Sequence, residues 1–132
     1  MSQENVEIVR QAYDVVFAQR KVDAVLDRFA PDFTWHQRAE WPGRPTYAAS
    51  EMPQLWADLY ETYPGMNLEP VEFEEAGDYV IVTVETSSGI RGSDSARVEA
   101  RIWHVWHMRD GLALEGWAFA DHEEALRTAG LA

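Results

Sequence analysis

Four side chains near the end of the chain, Glu115, Trp117, Phe119 and Asp121, lie two residues apart and so share one side of any extended strand. A carboxyl among rings is one of the few places here where residue type and spacing suggest chemistry. The preceding segment divides by the same rule: Val98, Ala100, Ile102, His104, Trp106 and Met108 face one way, and Arg97, Glu99, Arg101, Trp103, Val105 and His107 the other. Nearer the start, Trp35 shares a side with Gln37. Polar groups scattered among aromatics are the usual lining of a small-molecule site. Each also has a plainer role: rings at strand spacing are core, His104 or His107 can be a hydrogen-bonded structural imidazole or part of an interface, Tyr13 a core ring with a bonded hydroxyl, and Asp121 a helix N-cap. His104 and His107 fall on opposite faces, and His36 and His122 come from distant segments, so no metal-ligand spacing is evident. Without cysteine there is neither a thiol nucleophile nor a disulfide.

The elements that must position these residues follow from periodicity. Val6, Val9, Tyr13, Val16 and Phe17 predict an amphipathic helix from a Ser2 cap to about Arg20. Val22, Val25, Leu26 and Phe29 predict a second, shorter one stopped by Pro31. Phe33 to Arg38 reads as a short strand, and Trp41-Pro42-Gly43-Arg44-Pro45 as an irregular loop. A third helix, capped by Ser50 with Pro53 in its first turn, puts Leu55, Trp56, Leu59, Tyr60 and Tyr63 on one side before Pro64-Gly65 ends it. The period then changes to two, predicting strands Leu68–Glu75, Tyr79–Ser87, Arg97–Arg109 and Leu112–Ala120, with Asp110-Gly111 as a tight hairpin turn. Glu123 to Ala129 is helical in composition and ends at Gly130. Helices followed by consecutive strands indicate α+β architecture in a single domain over residues 1–132. The helices should pack on one face of a mostly antiparallel sheet, and a thirteen-residue strand must curl and enclose a concavity.

The 132 residues include 11 basic and 23 acidic side chains, a formal charge of −12 that opposes nucleic acid and anionic membrane surfaces. No apolar run is long enough to span a membrane and the start lacks the blocks of a signal peptide, so a soluble cytoplasmic protein is expected.

The stretch from Arg109-Asp110-Gly111 through Trp117 and Asp121 to Gly130 resembles the C-terminal signature of SnoaL-like domains of the nuclear transport factor 2-like superfamily. Val9 to Trp35, with Tyr13, Phe29-Ala30-Pro31-Asp32 and Trp35-His36, resembles the superfamily's opening helix pair and first strand. The resemblance implies a cone-shaped roll, in which a strongly curved, mostly antiparallel sheet wraps three N-terminal helices beside a short C-terminal helix, commonly as a homodimer. The superfamily holds polyketide cyclases, ketosteroid isomerases, epoxide hydrolases, dehydratases and non-enzymatic binding domains, so the fold does not by itself name an activity.

Its polyketide cyclases place an acid/base Asp at the slot matched by Asp121 and a pocket His at that matched by His107. The implied activity is that of a cofactor-independent lyase or isomerase moving a proton beside the carbonyl of a small apolar compound. Tyr13 and Gln37 would be polar partners, and Trp35, Trp56, Trp103, Trp117 and Phe119 the walls. Rings around the carboxyl would raise its affinity for a proton. Ketosteroid isomerase fits less well: Tyr13 matches its helix Tyr, but Gln37 stands where its base Asp belongs, and its second donor falls at Trp103 or Val105. The Arg and Asp of epoxide hydrolases would fall on Val82-Thr83-Val84-Glu85, which has no Arg. The alternative is a non-catalytic module of the same fold, binding a small apolar ligand or a second copy.

Overall fold

A computed structural model describes residues 2–19, 21–38, 43–89, 92 and 97–131; the side chains of Ser2, Gln3, Ala18 and Val22 lie outside the description. The Ser2 cap, the end of the first helix at Arg20 and most of the stretches 39–42 and 90–96 therefore fall outside the described residues.

Helix α1 (Ser2–Tyr13) runs into one wide π turn, Asp14–Ala18, in place of a continuous α-helix. The turn keeps Val16 and Phe17 on the side already occupied by Val9 and Tyr13; Val9, Tyr13 and Val16 are buried and Phe17 packs against the same core. The second expected helix is a 3-10 turn, Val22–Arg28, and it ends before Phe29. Phe29 is already extended, at φ −98° and ψ 140°, and pairs with Ala113. Pro31 disfavours the helical region for the residue before it, so the chain leaves the helix early and β1 (Phe29–His36) begins there instead of at Phe33. Pro31 is exposed and sits where the β1 register shifts, between Phe29 and Thr34, so its missing N–H disturbs no ladder.

A short strand, β2 (Thr46–Ala48), was not expected from the breaker-rich loop. It leads through a 3-10 turn, Ala49–Glu51, into α2 (Met52–Thr62), with Pro53 in the first turn as anticipated. Ser50 is an exposed residue within the 3-10 turn and does not cap α2; here the Glu51 carboxylate accepts the Ala48 N–H at 2.9 Å. Strands β3 (Asn67–Ala76), β4 (Tyr79–Gly89), β5 (Arg97–Arg109) and β6 (Leu112–Phe119) follow, then α3 (His122–Thr128). Asp110 and Gly111 both have positive φ, 53° and 80°, the geometry a two-residue hairpin turn requires.

The sheet order is β2-β1-β6-β5-β4-β3. Every neighbouring pair is antiparallel except β1 and β6, which run parallel. The inner face, with α1 and α2 packed on it, holds the larger core: Tyr13, Phe33, Trp35, Tyr47, Leu55, Leu59, Val82, Val84, Ile102 and Met108 among others. Helix α3 packs on the opposite face. There Ala125 and Ala129 are small enough to sit against Ile81 and Val105, with Trp103, Trp117, Phe119 and Leu126 around them. The helices therefore cover both faces, which corrects the one-sided packing expected from the sequence.

Candidate functional site

Tyr13, from the last turn of α1, meets β5 across the inner core. Its hydroxyl lies 2.5 Å from His104 Nδ1, and the Trp106 Nε1–H donates to the same oxygen at 2.9 Å. An indole nitrogen only donates, so the phenol accepts from Trp106 and spends its one hydrogen on His104 Nδ1. That assigns His104 the tautomer protonated at Nε2. Both groups are almost fully buried, Tyr13 at 4% and His104 at 3% exposure. Burial pushes the Tyr13 phenol well above its ordinary range, against the smaller opposing effect of the Trp106 hydrogen bond. Burial also pushes the His104 imidazole down to about 3. Near neutral pH both are uncharged, as an apolar surround requires. Trp35 closes the arrangement from β1, its ring edge-on to His104 at 5.2 Å.

Beside this pair is a cavity of about 60 Å³, room for roughly four water molecules at about 15 Å³ each. Its wall combines α1 and the π turn (Ile8, Val9, Ala12, Tyr13, Val16, Phe17) with Val25, Arg28 and Phe29, Met52 and Trp56 of α2, and His104, Trp106, Met108 and Ala113 of the sheet. Nearly all of that surface is carbon. Phe17 and Trp56 meet edge to face at 5.0 Å and form one side. Tyr13 and Phe17 also line a separate, more polar cleft with Arg10, Asp14, Asn67, Glu69 and Phe73.

Two of the nine expected site residues, Tyr13 and Trp56, line the cavity. Trp35 is buried behind it, 5.0 Å from the Trp106 ring, and donates its Nε1–H to Gln37 Oε1 at 3.2 Å. Gln37 Nε2 is buried with no partner among the described residues. The other five lie elsewhere, and their placement corrects the expectation of one shared pocket. Asp121 is exposed and caps α3, its Oδ1 accepting the Glu123 N–H at 2.9 Å. Its capping bond draws the carboxylate to the outside of the sheet. His107 stacks on Tyr79 at 4.4 Å, pairing across β4 and β5 on that same outer face. Trp103 stacks on His122, Trp117 on His36, and Phe119 packs beneath α3. The sides assigned by strand alternation are right; the concave side is the one carrying His104 and Trp106, so the residues facing Tyr13 are those two, not Trp103 or Val105. His104 was legible as a candidate through its shared side with Ile102 and Met108, whereas nothing in the sequence pointed to Arg28.

Among the described residues no group of three or more His, Asp or Glu side chains is placed to hold a metal ion, and no helix is long and apolar enough to cross a membrane.

This fold, with a ring-lined hollow between its helices and the inner sheet face, defines a class, and the sequence agrees with it. The model of the SnoaL-like domain matches residues 9–116, and the chain belongs to that family. Solved structures with the same fold include an NTF2-like protein from Burkholderia thailandensis E264, 25% identical with a TM-score of 0.78, covering 92% of this chain and 95% of that one. Another NTF2-like protein, from Burkholderia pseudomallei K96243, is 23% identical with a TM-score of 0.76 over 94% and 95% of the two chains. A protein with a ketosteroid isomerase-like fold from Catenulispora acidiphila DSM 44928, solved in complex with trimethylamine, is 18% identical with a TM-score of 0.71, covering 96% and 94%. No curated protein matches the chain.

Proposed function

We propose that this SnoaL-like domain binds a small, mostly apolar carbonyl compound, whose carbonyl end enters the cavity beside Tyr13 and His104 while the rest lies at its mouth. The supporting observation is the buried chain Trp106–Tyr13–His104, which lies against an otherwise carbon-lined hollow. A neutral imidazole that accepts at Nδ1 from a phenol becomes a better donor at Nε2, and a carbonyl oxygen entering the cavity is the matching acceptor. The apolar remainder of such a ligand gains from burial against Phe17, Trp56 and Met108.

Binding is favoured over acid/base turnover because no Asp or Glu among the described residues lines the cavity. Proton abstraction next to a carbonyl needs a base within hydrogen-bond reach. His104, held down to about 3, is a poor one, and Asp121 would have to leave its cap and cross the sheet. The test uses acetophenone. Trp56 and Trp106 line the hollow, so binding should quench indole fluorescence in a saturable way and raise the melting temperature, and Tyr13→Phe should weaken it at least fivefold. Absence of any effect up to millimolar ketone would overturn the proposal. Catalysed exchange of the ketone's α-hydrogens for deuterium, followed by NMR and lost in Asp121→Asn, would restore the acid/base reading.

A further inference from the structure

Among the described side chains that line the cavity, Arg28 alone is exposed; the others are buried or half-buried. The hollow therefore reaches the surface at the end of the 3-10 turn Val22–Arg28, with a guanidinium at its rim. Among the described residues Arg28 has no ion-pair or hydrogen-bond partner. Other arginines are engaged: Arg10 with Glu7, Arg44 with Glu51, Arg101 with Glu85, Arg127 with Glu123, and Arg97 with the Ser87 hydroxyl. In a chain with 23 acidic side chains against 11 basic ones, Arg28 shares with Lys21 and Arg109 the lack of a carboxylate partner among the described residues, and of these three cations it is the one that lines the apolar hollow. The cavity wall next to it is carbon, which suits the aliphatic stem of an arginine whose charged head stays in water.

We infer that the ligand is an anionic amphiphile, an oxo-carboxylate whose apolar, carbonyl-bearing part enters the cavity while its carboxylate pairs with Arg28 at the rim. This rests on the binding reading above and names the class of compound that the site takes. A planar guanidinium meets a carboxylate with two parallel N–H donors, which fixes the ligand's direction as well as adding attraction. With a net charge of −12 the rest of the protein repels an anion, so the local cation decides whether an acid or its neutral ester is preferred.

The experiment titrates the full chain with methyl-ketone oxo-carboxylates carrying two, three or four methylenes between ketone and carboxylate, and with the methyl ester of each, by calorimetry at low and high salt. The expected result is that at least one acid binds five times or more tighter than its ester, with the difference shrinking in salt. Arg28→Gln should remove that preference by lowering acid affinity at least fivefold more than ester affinity, and Arg28→Lys should retain part of it. Arg28 is exposed, so these variants should fold with unchanged melting temperatures. Esters that bind as well as or better than every acid, or acids that bind Arg28→Gln undiminished, would overturn the anionic ligand while leaving the carbonyl-binding reading intact. If neither acids nor esters bind, both are overturned.

Discussion

Lowering the pH should destabilise this protein through His104, and the effect can be isolated from every other titrating group. Burial holds the folded ring at about 3 against an ordinary 6.5. Because the folded state binds the proton less readily, the unfolded chain is protonated first as pH falls. The stability contributed by the neutral ring is therefore complete above about 6.5 and is lost progressively until the folded ring is itself protonated near 3. Each pH unit inside that window removes about 1.4 kcal/mol, so going from pH 7 to pH 5 costs about 2 kcal/mol from this residue alone. For a domain of this size that is a fall of roughly 6–10 °C in melting temperature. Among the described residues the only other ionisable group bonded to the ring is the Tyr13 phenol, which is neutral throughout the window. His104→Gln retains a carbonyl oxygen able to accept the Tyr13 O–H but cannot take up a proton. Urea unfolding of wild type and variant at the two pH values gives the difference directly, since all other groups are shared. The wild type should lose about 2 kcal/mol more than the variant. Equal losses in the two proteins would refute the claim that His104 is buried in its neutral form.

Two other substitutions probe the frame around the site. A Cβ on Gly116 would lie 2.6 Å from the Trp35 ring and 3.0 Å from that of Trp106, so Gly116→Ala should cost about 1–3 kcal/mol in chemical denaturation and weaken ligand binding as the rings shift. A variant as stable as the wild type would mean that these rings have room to move. Asp121→Asn should keep both stability and acetophenone affinity, because Asn caps helices as well as Asp, whereas Asp121→Ala should lose about 1 kcal/mol and fray α3; a large loss of ketone affinity in the Asn variant would show that the carboxylate reaches the ligand after all.

The strands and their alternation were readable because period two is a local property: β5 has the bounds expected from the sequence, and the Asp110-Gly111 hairpin adopts the backbone that its residues favour. Helix types were less legible. The π turn at Asp14–Ala18 goes with the packing of Val16 and Phe17 on the core, and the exit at Phe29 combines the local restriction before Pro31 with pairing to Ala113, distant in sequence. The site was misplaced for a different reason. Alternation sorts residues onto two faces but does not say which face is concave, and aromatics stand on both: Trp35 and Trp106 inside, Trp103, Trp117 and Phe119 outside.

What separates the two faces is the pairing of large with small residues across neighbouring strands. Gly116 pairs with Trp106 and Ala118 with His104, and beyond the irregularity after His107, Ala113 pairs with Met108. A face that brings Trp35 and Trp106 within 5.0 Å of each other, and still leaves a hollow, can do so only if the strand between them carries almost nothing; Gly116 is that vacancy. On the outer face β6 carries the large residues, Trp117 opposite Val105 and Phe119 opposite Trp103, and the small residues are supplied by α3 as Ala125 and Ala129. Large rings therefore meet a glycine and an alanine inside, and an alanine-faced helix outside. It follows that Asp121, which shares its side with Trp117 and Phe119, belongs with the helix that covers them, while His104 and Trp106, which face the hollow from the sheet, stand opposite the small residues of β6.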